Sequence, residues 1–397
     1  MSDLEPYLAS FDVEPGYLNW ASFGPLSPAV RIETGADADM LSTGRAAGID
    51  FVWQRADEAR ALVGDLLGLP AEGVVLQPST TQGLTHALYG LSGEVLVSPW
   101  EFPALPVAAA RAAAFRGVLR VREIEAADRG VTVDTVRDAL TDETTAVAVS
   151  AVDYRTGYLA DLTGIREVIG DRLLIVDAVQ ACGVTEPDWA AADVIAGNGY
   201  KWLRAGRGSG FAWFSDRARE RIEPVLSGYA GMAGEVGDLE VAPVRADAAA
   251  CAISPVDPMA AGRLAAALRE VSAAGVSGIA ERVAAHAQRV MAIADAHGIP
   301  VVTDRERHAG IVALDPPAEV TGPIGASLTN AGLTVTVRGG LVRISAHAGT
   351  SEDTLRLLDD ALAEARTMVP PVPVAPTPFD APISLAEGAM LEGPLES

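Results

Sequence analysis

Six short apolar runs mark the first part of the chain, at residues 74–77, 94–97, 146–152, 173–176, 193–196 and 211–214. Most are continuously apolar rather than alternating, which is the pattern of strands buried on both faces of a parallel sheet. Before them, residues 29–68 read as helical, with apolar positions three and four apart from 51 to 67, and 84–91, between the first two runs, predicts a further helix. A second pattern starts at Met259. Residues 259–297 are alanine-rich and periodic, predicting two long helices. Runs at 299–303, 311–314, 334–337 and 341–347 then predict the strands of a smaller α/β unit, followed by an amphipathic helix reaching Met368. The expected organisation is an α/β protein in four parts. An N-terminal arm (1–28) contains the turn pairs Gly24–Pro25 and Ser27–Pro28. A large domain (29–250) holds a mainly parallel central sheet flanked by helices, and a small C-terminal domain (251–368) follows. The tail 369–397 is proline-rich and aperiodic.

Composition narrows the partners. The chain has 397 residues and 49% hydrophobic content, enough for a large core. Its 30 basic and 53 acidic residues leave a net charge of −23. Such a surface disfavours nucleic acid and anionic membranes, which select clustered Lys and Arg. An anionic cofactor would therefore be held by local dipoles and a few placed cations. Two cysteines, Cys182 and Cys251, imply no disulfide framework. No signal-like segment and no long apolar run occur, so a cytoplasmic protein is expected. No metal site is expected.

The candidate chemistry sits where strands end. The run 173–176 terminates on Asp177, and the carboxyl end of a central strand is where open α/β sheets bind ligands. Lys201 follows 24 residues later, on a glycine-flanked turn after the run 193–196. A lysine amine and a carboxylate in this arrangement suit pyridoxal 5'-phosphate (PLP): the amine forms a Schiff base with the aldehyde, and the carboxylate keeps the ring nitrogen protonated. Taken alone, Lys201 would read as a solvated surface lysine, as most lysines are. The strand–loop–helix at 74–91, with hydroxyls at the helix start, fits a phosphate ester or simple N-capping. Phe102 follows another strand and could stack on a ring or pack in the core. Arg155 could reach the mouth of the site or be a solvated loop charge, and the second reading is preferred.

These blocks together carry a resemblance. VDAVQACG (176–183), DVIAGNGYKWL (193–203), STTQGLT (79–85), YLNWASFGPL (17–26) and VRISAHAGTSED (342–353) resemble the class V aminotransferase family of fold-type I PLP enzymes. That family includes cysteine desulfurases, kynureninase-like hydrolases and isopenicillin N epimerase-like proteins. The resemblance implies that Lys201 is the catalytic Schiff-base lysine, working through a quinonoid intermediate. It places Thr80, Thr81, Phe102, Asp177, Gln180, Asn198 and Tyr200 around PLP, and it puts Arg343 on the carboxylate of an amino-acid substrate, with Asn19 at the mouth. It also implies a homodimer. Three departures stand out: the proline of the family's G-P-x-G-x-G segment is absent, with Ala205–Gly206–Arg207–Gly208 in its place, Phe102 stands where desulfurases carry histidine, and Tyr154 stands where the family often has asparagine. An aminotransferase is the family's default activity. The alternative is a carbon–sulfur β-lyase or desulfurase-like enzyme. A persulfide mechanism is disfavoured, because residues 305–345 contain no cysteine.

Overall fold

The computed structural model describes residues 4–125, 130–234, 237 and 241–365. The proline-rich stretch 369–397 lies outside them. Seven strands form the larger sheet: β1 (Val74–Gln77), β2 (Gly93–Val97), β3 (Leu119–Glu123), β4 (Thr144–Ser150), β5 (Leu173–Asp177), β6 (Val194–Asn198) and β7 (Gly210–Phe214). Their spatial order is β1-β7-β6-β5-β4-β2-β3. Strands β6, β5, β4, β2 and β3 pair in parallel, whereas β7 runs antiparallel to both β1 and β6. The carboxyl ends of β1, β2, β4, β5 and β6 therefore share one edge, and the start of β7 joins them there.

The apolar runs are continuous because both faces are covered. Val147, Val149, Leu174, Val176 and Ile195 point into one core cluster. Ala146, Ala148, Leu173, Ile175 and Val194, their neighbours in sequence, point into a second. This is the two-residue period of a strand with helices on each side. Strand β3, whose residues are mostly exposed or partly exposed, has no comparable apolar run and escapes a reading based on burial.

Strands β8 (Ile311–Leu314), β9 (Thr336–Arg338) and β10 (Leu341–Ser345) make a separate antiparallel sheet in the order β8-β10-β9. The helices Val276–Ala296, Ala318–Asn330 and Glu352–Ala365 cover it around a third core cluster. The expected strand at 299–303 is reduced to a bridge between Val301 and Leu314, with bonds from Val302 N–H to the Ala313 carbonyl and from Asp315 N–H to the Pro300 carbonyl. The expected continuous helix over 51–67 divides at Gln54 into Ala46–Trp53 and Arg55–Leu67. Phe51 and Trp53 are exposed there rather than packed.

The N-terminal arm reaches the small sheet. Tyr17 bridges Thr334, and Asn19 bridges Ser345. The Ala21 amide donates to Ser345 Oγ at 2.9 Å. The segment 17–24 thus lies between the small sheet and the turn that carries Lys201.

Candidate active site

Asp177 is the last residue of β5, in register with Ser150 on β4 and Ala196 on β6. Its Oδ1 accepts from the Val179 amide at 2.9 Å. Burial pushes its carboxyl up to about 6, opposed by that N–H and by the positive charge of Lys201. Lys201 is 5% exposed. Its Nζ lies 5.7 Å from the centre of the Phe102 ring and 5.5 Å from that of Tyr200. Burial brings this amine down to about 8; Asp177 raises it, while Arg343 and Arg207 lower it further. An amine with this affinity for protons keeps a neutral fraction of roughly one-fifth near physiological pH, far more than an ordinary lysine.

The turn holding Lys201 is clamped from three directions. Gly24 donates its amide to the Tyr200 carbonyl at 2.8 Å. His347, fully buried after β10, sits on the Trp202 carbonyl through Nε2 at 2.8 Å and accepts the Ala348 amide on Nδ1 at 2.7 Å. Burial among the rings of Tyr7, Phe11, Trp20 and Trp202 holds it neutral, down to about 3. Arg204 has φ +61°, unique among non-glycine described residues. Its guanidinium stacks 4.0 Å from the Phe11 ring centre and donates to the side chain and carbonyl of Ser10. A left-handed arginine is strained, and it persists because these partners over-determine it.

At the end of β1, Ser79 caps the helix Thr80–Tyr89 by accepting from Gln82 N–H. The amides of Thr80 and Thr81 then have no intrahelical acceptor. Thr80 Oγ1 is buried without a partner, whereas Thr81 is exposed. Asn198, at the end of β6, accepts the Tyr200 amide at 3.2 Å. An orphaned hydroxyl and free amides at the positive end of a helix, beside the lysine and the strand-end carboxylate, fit the phosphate, aldehyde and ring nitrogen of PLP.

Arg343 lies on β10. Its Nη1 donates to the Tyr154 carbonyl at 2.7 Å and its Nη2 to Ser22 Oγ at 2.6 Å; Nε is buried without a partner. No carboxylate pairs with it among the described residues. Asn19 accepts from Thr336 Oγ1 at 2.9 Å, and that hydroxyl lies 3.4 Å from both Ser22 Oγ and Arg343 Nη2. Tyr154 packs edge-on against Phe102, ring centres 5.3 Å apart. Phe102 itself is 39% exposed, so it faces an opening and is not a core residue.

Two of the side chains singled out in the sequence are tied to other parts of the chain. Gln180 has its amide nitrogen on the Ala21 carbonyl (3.0 Å) and its oxygen on the Trp202 indole N–H (2.9 Å), so its side chain braces the arm against the lysine turn. Arg155 is not a solvated charge: it pairs with Asp153 at 3.1 Å and stacks 5.0 Å from the Trp100 ring centre. Sequence reading missed Ser22, Thr336 and Glu101. Glu101 is buried, accepting from Ser150 N–H (2.9 Å) and Ser150 Oγ (2.5 Å). Its only sequence signal is an acidic residue directly before Phe102. Among the described residues no group of His, Cys, Asp and Glu could hold a metal, and no helix is long and apolar enough to cross a membrane.

Comparison with known proteins gives the same picture. A kynureninase of Burkholderia mallei is 35% identical over 99 residues, 24% of each chain. A kynureninase of Deinococcus radiodurans is 31% identical over 187 residues, 45% of this chain and 44% of that one. The chain thus matches a quarter to under a half of these curated relatives' length. Among solved structures, the apo cysteine desulfurase of Thermococcus onnurineus NA1 has a TM-score of 0.78 at 19% identity, covering 88% of this chain and 94% of its own. The cystine C–S lyase C-DES, in complex with its product cysteine persulfide, has a TM-score of 0.80 at 18% identity, covering 90% and 99%. At these identities the likeness establishes the fold, that of fold-type I PLP enzymes. The family model described as Aminotransferase class-V matches residues 47–347, so the chain belongs to that family.

Proposed function

We propose that this protein is a PLP-dependent enzyme that acts on an α-amino acid and cleaves a bond beyond its α-carbon, as a lyase or hydrolase. The observation that carries the PLP reading is the position of Lys201: a buried amine between the Phe102 and Tyr200 rings, close enough to the strand-end Asp177 to feel its charge. The names of the relatives, kynureninase and C–S lyase, support bond cleavage. A second reading, transamination, is favoured by the family description.

Bound PLP supplies an aldehyde that condenses with amines and a ring that accepts electrons from the α-carbon. Lys201 Nζ is the covalent anchor. When not engaged as that anchor, Nζ would be the group that removes and returns a proton at the substrate α-carbon. Asp177 would hold a proton on the ring nitrogen, and Phe102 would cover the ring face. Thr80 Oγ1, the Thr80 and Thr81 amides, Asn198 and Tyr200 hold the phosphate. Arg343 takes the substrate carboxylate as a planar double donor, steadied by Ser22, with Asn19 and Thr336 behind it.

A persulfide relay on a cysteine has no support here. Both thiols are buried, and burial raises both, Cys251 to about 12. The exposed apolar residues Val225, Tyr229, Val244 and Ile253 favour a homodimer built on this segment. A monomer by light scattering would count against it.

The test reconstitutes the protein with PLP, reduces it with borohydride and maps the modified peptide. A reduced adduct on Lys201 is expected; an adduct elsewhere, or none, refutes the PLP reading. Product analysis with amino acids then separates the outcomes. A cleaved side chain supports the lyase reading, and an intact keto acid overturns it in favour of transamination.

A further inference from the structure

Arg207 is exposed on the loop between the lysine turn and β7, and among the described residues no carboxylate pairs with it. Its planar group lies 4.6 Å from the centre of the Tyr200 ring, the ring that also lies 5.5 Å from Lys201 Nζ. The side chain is therefore shelved beside the lysine turn.

The loop under it is tied down. Ala205 N–H donates to the Gly199 carbonyl at 2.7 Å, and Gly199 N–H to the Ser209 carbonyl at 2.9 Å. Arg263, on the helix Pro258–Ala274, donates to the carbonyls of Ala205 and Arg207 at 3.2 and 3.0 Å. The loop ends at Gly210, where a Cβ would come 2.8 Å from the Ser79 nitrogen. The segment bearing Arg207 thus spans from Tyr200 to the start of the helix Thr80–Tyr89, where Thr80 Oγ1 is buried without a partner. The hydroxyls and amides gathered there are uncharged. A phosphate dianion held by neutral donors alone would lack a counter-charge, in a protein whose overall field repels anions.

We propose that Arg207 is an anion-binding residue of this site and that its ligand is the phosphate group of the cofactor. The inference rests on the PLP reading above. Tyr200 serves as the platform that aims the guanidinium, and Arg263 fixes the loop.

The test compares two aldehydes on cofactor-stripped full-length protein: PLP, and pyridoxal, which lacks the phosphate. Arg207→Gln is expected to weaken PLP binding by roughly tenfold or more, the usual worth of a charge-assisted contact, and to leave pyridoxal binding within about twofold. Arg207→Lys should recover part of the PLP affinity. Thermal melts of the stripped proteins check that both variants fold. Equal PLP affinity in variant and wild type overturns the assignment, as does an equal loss for both aldehydes. A raised KM for the amino acid with PLP affinity unchanged assigns the anion to the substrate and overturns it too. Failure of the underlying reading looks different: wild type would then give no borohydride-stable adduct on Lys201 with either aldehyde.

Discussion

Gly24 lies so tightly against Lys201 that a Cβ on it would stand 1.9 Å from the Lys201 carbonyl oxygen. Backbone meets backbone there, so neither side can swing away as a flexible side chain would. The N-terminal arm thereby sets the height of the lysine turn. Gly24→Ala should displace that turn, costing about 1–3 kcal/mol of stability as overpacking does and weakening PLP capture. Denaturant melts and PLP titration of the variant check this; wild-type affinity together with wild-type stability would contradict it.

The lysine predicts a pH profile. Only the neutral amine condenses with an aldehyde, and burial brings Lys201 to about 8. The rate of PLP capture by stripped protein should climb with pH and level off above about 8. Asp177 raises this amine, so Asp177→Asn should move the midpoint to lower pH. Stopped-flow capture rates across pH give the answer. Lys201→Ala should abolish the reducible adduct and lower turnover roughly a thousandfold or more.

Arg343 is expected to separate substrate binding from cofactor binding. Arg343→Ala should raise KM for the amino acid by roughly ten- to a hundredfold, with PLP affinity little changed. Arg343→Lys should rescue poorly, because an ammonium cannot reach the Tyr154 carbonyl and Ser22 while presenting a planar pair of donors. Steady-state kinetics beside PLP titration distinguish this from a general loss of structure.

Glu101 should make stability fall with rising pH. Burial pushes its carboxyl from 4.5 up to about 7, against the two bonds from Ser150; Asp153 and Asp177 add to the rise. Between those values the folded protein holds a proton that the unfolded chain releases. The contribution is therefore complete below 4.5 and is lost as pH rises through about 7. Its size is roughly 3 kcal/mol at most. Glu101→Gln keeps both Ser150 contacts and cannot titrate, so its stability should depend less on pH across this window. Denaturant unfolding of both proteins at the two ends measures the difference.

Much of the architecture was legible because strand burial is a local property. β4, β5 and β6 are covered on both faces, so each appears as an unbroken apolar run ending near Ser150, Asp177 and Asn198. β3 was invisible for the opposite reason, since only Leu119 in it is buried. The division of a helix at Gln54 was hidden too, because apolar spacing continues across the break.

The chain's own order of residues determined that a carboxylate and a lysine end neighbouring strands, and that hydroxyls open the helix after β1. Tertiary structure alone decided what surrounds them. Arg343 meets Ser22 across 321 positions and the carbonyl of Tyr154 across 189. His347 meets Trp202 across 145, and Gln180 is drawn away to Ala21 across 159. Carbonyls carry no residue signature, and contacts over such distances exist only once the arm, the large sheet and the small sheet have packed together. A periodic pattern reports the solvent on each side of a segment; it carries no record of which distant segment excludes that solvent.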